Sequence, residues 1–259
     1  MAKDIINGYV NVETHNGITT IEFFHPQSNS LPRQLLKDLA NEIHTAGIDK
    51  DTKVMVIRSG GDKAFCAGAS FDELTKIENK EKGYEFFNGF AEVINAMRKC
   101  PKLIIGRIHG KCVGGGVGLA AAVDYAISNE TADVKLSELA VGIGPFVVGP
   151  AIQRKIGMSA FSQLAIDAAM WRNADWARRK GLYAECHPTT EGMDESIQRL
   201  SNQLAHSSTE AMAEIKKVFW QGTEDWDNLL PQRAEISGRL VLSNFTKEAI
   251  EKFKAKATT

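Results

Sequence analysis

The sequence is poor in cysteine, with four in 259 residues and no C-x-x-C pair among them. Cys66, Cys100, Cys112 and Cys186 are scattered, which points to reduced thiols and away from a zinc site. An excess of either charge is also missing: 31 basic residues against 32 acidic ones leave a net charge of −1. That balance argues against bulk binding to nucleic acid or to an anionic membrane. No apolar run approaches the ~20 residues of a membrane span, and the opening residues, MAKDIINGYV, lack the apolar core of a secretion signal. A cytoplasmic location is therefore expected. No internal repeat, low-complexity tract or linker breaks the chain. No Gly-Lys-Ser/Thr follows the glycine-rich stretch, which excludes a P-loop. No acidic residue stands at the distance that a dinucleotide-binding fingerprint needs.

What is present is a 43 % hydrophobic composition, enough for a substantial core in one large α/β domain or a core with a small appendage. Tyr9–Thr14 and Ile18–Phe24 flank His15-Asn16-Gly17, a hairpin signal. Leu31, Leu35, Leu36, Leu39 and Ile43 repeat at helical spacing, and Gly47 stops that helix. Val54–Ile57 is a continuous β-branched run of the buried kind. Lys76–Lys82 reads as a charged, solvated stretch, and Tyr84–Met97 as an amphipathic helix. Leu103–Ile108, Tyr125–Ser128, Val134–Leu136 and Leu182–Cys186 read as strands. From Val147 onward helices dominate: 147–156, 159–169, 174–180, 193–205, 209–220, 225–242 and 246–256. Repeating β and α units with right-handed connections imply a parallel-type sheet followed by a helical region. The expected division is a core over 1–190 and a helical C-terminal region over 191–259.

The chain is organised around residues 104–127, IIGRIHGKCVGGGVGLAAAVDYAI. A short apolar strand, a turn at His109-Gly110 and the run Gly114-Gly115-Gly116 lead into a small-residue helix. Glycine runs cost conformational entropy and suit places where backbone must approach something closely. Free N–H groups at a helix N-terminus make such a place a candidate anion or oxyanion site. Two further segments accompany it: Lys63-Ala64-Phe65-Cys66-Ala67-Gly68-Ala69-Ser70-Phe71 upstream, and Leu136-Ser137-Glu138 running on to Gly142-Ile143-Gly144-Pro145 downstream.

Together these three segments resemble the crotonase (enoyl-CoA hydratase/isomerase) superfamily, with motif order and spacing in agreement from about Val10 to Phe253. The resemblance implies an α/β crotonase spiral of ββα units followed by a helical trimerisation region, and a homotrimer or a dimer of trimers. It implies that the N–H groups of Ala69 and Gly115 form an oxyanion hole for a thioester enolate, and that Glu138 is the catalytic acid or base. Ala67, Gly68, Phe71, Gly114 and Phe146 are the implied substrate contacts. Coenzyme A enters as part of the substrate, and neither a metal nor a redox cofactor is expected. Backbone donors account for glycine and alanine at such positions, and a carboxylate beside an apolar loop should have a raised pKa.

Two departures stand out. The family's second glutamate, two residues after the glycine run, is Gly118 here, and Phe146 replaces the glycine that often follows the loop proline. The pattern is also similar to bacterial methylglutaconyl-CoA hydratases. Hydration of an α,β-unsaturated acyl-CoA, or its reverse, is the leading expectation. A double-bond isomerase using Glu138 alone is one alternative, and a catalytically weak CoA-thioester-binding or RNA-associated scaffold is another.

Other residues carry blander readings. His109 suits a structural hydrogen bond, and Asp124 a buried acceptor. Cys66 and Cys112 suit packing, and Trp171, Trp176, Trp220 and Trp226 suit core or interface. For CoA phosphates, Arg33, Lys63, Lys252, Lys254 and Lys256 are the candidates.

Overall fold

The computed structural model describes residues 5–257 of the main chain and side chains from 6 to 252, so the side chains of Lys254 and Lys256 lie outside the described ones. The hairpin forms as expected: β1 (Tyr9–His15) and β2 (Ile18–Phe24) pair antiparallel around Asn16-Gly17, both at positive φ. α1 (Arg33–Ile48) follows and buries Leu35, Leu36, Leu39 and Ile43. β3 (Val54–Ser59) then pairs parallel with β2, Ile18 facing Val54 and Ile21 facing Ile57.

The next elements are β4 (Ala64–Cys66), α2 (Phe71–Leu74) and α3 (Lys80–Lys99). They give way to β5 (Leu103–Ile108), β6 (Lys111–Val113) and α4 (Gly115–Ala122). β7 (Tyr125–Asn129), β8 (Val134–Lys135) and a 3₁₀ turn over Glu138–Val141 precede α5 (Gly149–Ile166). The chain ends through α6 (Ala174–Arg179), β9 (Glu185–His187), α7 (Thr190–Ala205), α8 (Thr209–Phe219), α9 (Trp226–Leu240) and α10 (Asn244–Ala257).

Six strands make the main sheet in the order β1-β2-β3-β5-β7-β9, parallel beyond the first hairpin. Both of its faces are covered, which is why β3 and β5 read as near-continuous apolar runs. Met55, Ile57, Ile104 and Ile108 join the principal core with α1 and α3. Val54, Val56, Ile105 and Ile127 face the other way, onto Met193, Ile197 and Ala205 of α7.

A second sheet, β4-β6-β8, was not legible in the sequence, because strands of two and three residues are too short to show a period. Three boundaries also move. The expected strand at Leu182–Cys186 begins only at Glu185, since Leu182 and Tyr183 are buried in the turn before it. The two helices expected around residue 157 form one element with a break, Gly157 standing at φ 74° and ψ 163°. The charged stretch 76–82 is in part the start of α3, where the Asn79 side chain accepts from the Lys82 N–H at 2.9 Å.

One buried charge ties α8 to the core. Asp124 and Lys216 of α8 are almost fully buried and pair at 2.8 Å. Asp124 also accepts from the Ile104 N–H (2.8 Å) and the Trp220 indole N–H (3.1 Å). It is the buried acceptor that the sequence suggested.

Candidate active site

The small sheet organises the site, because each of its strands releases one of the three sequence motifs at its C-terminal end. Ala67–Ala69 follow β4, Gly114–Gly115 follow β6 and Ser137–Glu138 follow β8. The strands are parallel, Cys66 facing Cys112 and Cys112 facing Val134, so the three exits lie side by side. A cavity of about 1070 Å³ opens there. All eight residues that the sequence singled out line it: Ala67, Gly68, Ala69, Phe71, Gly114, Gly115, Glu138 and Phe146.

Hydrogen bonds hold the first exit in place. Leu31 N–H donates to the Gly68 carbonyl at 2.7 Å, Ser70 N–H to the Leu31 carbonyl at 3.1 Å and Ala67 N–H to the Ser28 carbonyl at 3.1 Å. The pattern skips Ala69, whose N–H donates to no acceptor among the described residues. Gly68 has φ 91°, and a Cβ there would stand 2.9 Å from the Val113 carbonyl oxygen and 3.4 Å from the Gly115 nitrogen. Only glycine lets the two loops come this close.

At the second exit Gly114 takes φ 53°, and its N–H bonds the Lys135 carbonyl at 2.9 Å. Gly115 opens α4 with an N–H that has no acceptor among the described residues, as expected for a first helical turn. The reason for glycine at 115 differs from the one at 114. A Cβ on Gly115 would run into the Phe90 ring, which α3 lays directly on this residue. Its φ is not left-handed, so sterics with Phe90, rather than backbone strain, exclude larger residues.

Glu138 rests over the second exit: a Cβ on Gly114 would lie 2.9 Å from Glu138 Oε1. The residue is half-buried, but its Oε2 is sealed from solvent without a hydrogen-bond partner. Burial pushes its carboxyl up to about 7, partly offset by a hydrogen bond from its own main-chain N–H. Two free amides and a carboxyl group with one unpartnered oxygen thus line a single cavity. Donors of this kind stabilise a developing oxyanion, and a carboxyl titrating near neutrality can take and return a proton.

The wall positions were harder to foresee. Leu74, Phe87 and Phe90 also line the cavity, but on helices where an apolar side chain signals core as well as pocket, and Val148 lines it from the turn before α5. Phe245, Glu248, Ala249 and Lys252 of α10 complete it, Phe245 packing against Gly142 beyond the Glu138 turn. Gly118 does not line the cavity, because Val148 occupies the space that its side chain would need.

Among the other expectations, Lys252 stands at the cavity but Arg33 and Lys63 do not. Arg33 pairs with Glu92 at 2.7 Å. The structural hydrogen bond expected of the His109 ring is absent among the described residues. Only its carbonyl is engaged, by Asn129 and Thr131, and burial beside Arg107 and Arg58 lowers the ring pKa to about 4. Cys66 and Cys112 are wholly buried packing residues with raised pKa values. Trp220 and Trp226 stack edge to face in the core, whereas Trp171 is exposed. Among the described residues, no group of three His, Cys, Asp or Glu could hold a metal ion, and no helix is long and apolar enough to cross a membrane.

The profile of the enoyl-CoA hydratase/isomerase family matches residues 13–257, nearly the whole chain. This chain belongs to that family. As an enoyl-CoA hydratase/isomerase it is 30 % identical over 200 residues to the mitochondrial methylglutaconyl-CoA hydratase of Homo sapiens. That match covers 76 % of this chain and 58 % of the human protein, so the chain spans less than two thirds of that relative's length. A probable enoyl-CoA hydratase of Bacillus subtilis is 24 % identical over 241 residues, covering 92 % of this chain and 93 % of the relative. A Mycobacterium tuberculosis (7aS)-7a-methyl-1,5-dioxo-2,3,5,6,7,7a-hexahydro-1H-indene-carboxyl-CoA hydrolase is 24 % identical over 208 residues, 78 % of this chain and 80 % of the relative. Among solved structures, an enoyl-CoA hydratase from Bacillus halodurans superposes with a TM-score of 0.86 at 21 % identity, covering 94 % of this chain and 99 % of that one. The enoyl-CoA hydratase/isomerase fold expected from the sequence is therefore the fold observed.

Proposed function

We propose that this enzyme adds water to an α,β-unsaturated acyl-CoA, or removes it in the reverse direction. The observation that carries the reading is that the Ala69 and Gly115 N–H groups and the Glu138 carboxyl, its Oε2 unpartnered, belong to one cavity. In the forward direction Glu138 accepts a proton from water as the oxygen bonds C3. The C2–C3 π electrons move to the thioester oxygen, where the two N–H groups hold the enolate. The enolate collapses as C2 takes the proton back from Glu138. Ala67, Gly68, Phe71, Gly114 and Phe146 shape the surrounding wall. The steps need no group beyond the substrate, of which coenzyme A is a part.

A second reading, a double-bond shift, is favoured by the Gly118–Val148 packing, which leaves no room for a second carboxylate at position 118 to work with Glu138. Moving a proton from C2 to C4 needs only one such group. Purified protein given crotonyl-CoA should bleach the conjugated absorbance, whereas a 3-enoyl-CoA given to an isomerase should raise it. 3-Methylglutaconyl-CoA joins the panel because of the relatives' names. Thioester binding without turnover of any member would support the scaffold alternative. We place the enzyme in the cytoplasm as a homotrimer or a dimer of trimers, for which light scattering should return three or six chain masses. Exposed Met158, Ile166, Val218 and Phe219 on α5 and α8 are apolar surface such an assembly would cover.

A further inference from the structure

We infer that Trp171, which does not line the cavity, is a positioning residue for Glu138 and for the Gly114–Gly115 turn. This rests on the roles proposed above for Glu138 and the Gly115 N–H. Trp171 stands in the connection between α5 and α6, and its ring gathers two cations. The Lys111 ammonium lies 5.0 Å from the ring centroid and the Lys135 ammonium 5.5 Å. Neither lysine meets a carboxylate among the described residues, so the electron-rich ring is the attractive partner that both share. The two lysines occupy matching places. Lys111 is on β6, three residues before Gly114, and Lys135 is on β8, three residues before Glu138. One side chain thus ties together the strands that deliver the donor turn and the carboxyl group.

These strands need a tie from outside. β6 has three residues and β8 two, and strands so short have few ladder bonds to fix them against each other. The Lys135 carbonyl accepts from the Gly114 N–H at 2.9 Å, and the Asp133 carbonyl from the Cys112 N–H at 2.8 Å. The residue after Trp171 adds two more bonds. Val134 N–H donates to the Arg172 carbonyl at 2.8 Å, and Arg172 N–H to the Val134 carbonyl at 3.0 Å. The platform is itself held: the Arg172 guanidinium pairs with Asp167 at 2.9 Å, and the Asn173 side chain caps α6 by accepting from the Trp176 N–H at 2.8 Å. A slip of β8 against β6 would disturb both groups at once. The Gly114 N–H would lose its aim at the Lys135 carbonyl, turning the neighbouring Gly115 donor. Glu138 would leave its place over Gly114 and open Oε2 to water.

Trp171→Ala, a change at an exposed side chain, should lower kcat on crotonyl-CoA by ~10–100-fold with little change in KM, because a misplacement of about 1 Å suffices for such a loss. Trp171→Phe keeps a ring face for the ammoniums and should recover most of the rate. Lys111→Met and Lys135→Met should each lose part of it, and neither should slow the Trp171→Ala protein further, since the shared contact is already gone there. Glu138 supplies a readout that needs no turnover. Carbon-13 NMR should place its titration midpoint near 7 in the wild-type protein and nearer 4.5 in Trp171→Ala, as water reaches the carboxyl. An unmoved midpoint in the folded variant would overturn the inference, whatever its rate. So would an unchanged kcat accompanied by a lower melting temperature, which would leave Trp171 a surface contact. If the wild-type protein turns over no enoyl-CoA while the Glu138 midpoint still moves in the variant, the hydratase reading fails and the positioning stands.

Discussion

Glu138 illustrates how one buried group links stability to chemistry. Its folded-state pKa of about 7 lies above the value of 4.5 that an unperturbed glutamate has. The folded protein thus holds this proton more tightly than the unfolded chain, and stability falls as pH rises from about 4.5 to 7. Glutamine does not titrate. Glu138→Gln should therefore melt with wild type near pH 4.5 and above it at pH 8, the gap opening through that window in thermal melts. The same variant should lose ~10²–10⁴ in kcat, the usual range for general acid–base catalysis, with little change in KM. Wild-type turnover in the folded variant would take Glu138 out of the mechanism. Gly115 makes a complementary case, since Phe90 fills the space of any side chain there. Gly115→Ala should displace the donor N–H and cut the rate by a factor worth ~2.7–4 kcal/mol, as for one lost oxyanion donor. Adding Phe90→Ala should restore part of it, and a double variant no faster than the single one would refute the steric account. His109, by contrast, invited a role from its place before the glycine turn and has none at the cavity.

Elements meet here through glycine where side chains would not fit. α3 crosses α9 at Gly83 and Gly238, and a Cβ on Gly238 would stand 2.6 Å from the Tyr84 nitrogen and 2.8 Å from the Gly83 carbonyl carbon. The obstacle is backbone, which cannot swing aside as a side chain can. Gly238→Ala should cost about 1–3 kcal/mol, the scale of overpacking a filled interior, read as a lower midpoint in urea. An unchanged midpoint would mean that the helices slide apart freely. α3 also carries Phe87 and Phe90 to the cavity, so this variant should raise KM as well. The amphipathic pattern of α3 was plain in the sequence, but not which of its apolar residues faced the core and which the pocket. Both faces are apolar, and periodicity reports only that a side is turned from water.

Across the whole molecule, the Asp124–Lys216 pair couples α8 to the main sheet through Ile104 and to the core through Trp220. Lys155 adds a bond to the Asp124 carbonyl at 2.9 Å, and Arg154 lies over the Trp220 ring. Lys216→Met would leave a carboxylate buried without its cation, a loss of about 3–5 kcal/mol. Chemical denaturation should show it, and Asp124→Asn in the same background should recover part by removing the charge. If Lys216→Met alone is neutral, water reaches this carboxylate and the helical region is held by apolar contact.

The sequence by itself determined the family, the hairpin, the buried β3 and β5 strands and the residues of three motifs. Each of these is written in local order: turn chemistry at Asn16-Gly17, β-branched runs, and glycines at fixed spacing. Tertiary structure alone decided what those motifs share. The three exits converge because β4, β6 and β8 pair in a sheet of strands too short to leave a periodic trace. It likewise decided that Val148 stands where a side chain at 118 would go, that Phe90 closes on Gly115, and that the Lys135 ammonium lies 5.5 Å from the Trp171 ring centroid. Steric exclusion between residues tens of positions apart acts only once the backbone has brought them together, and no local pattern encodes it.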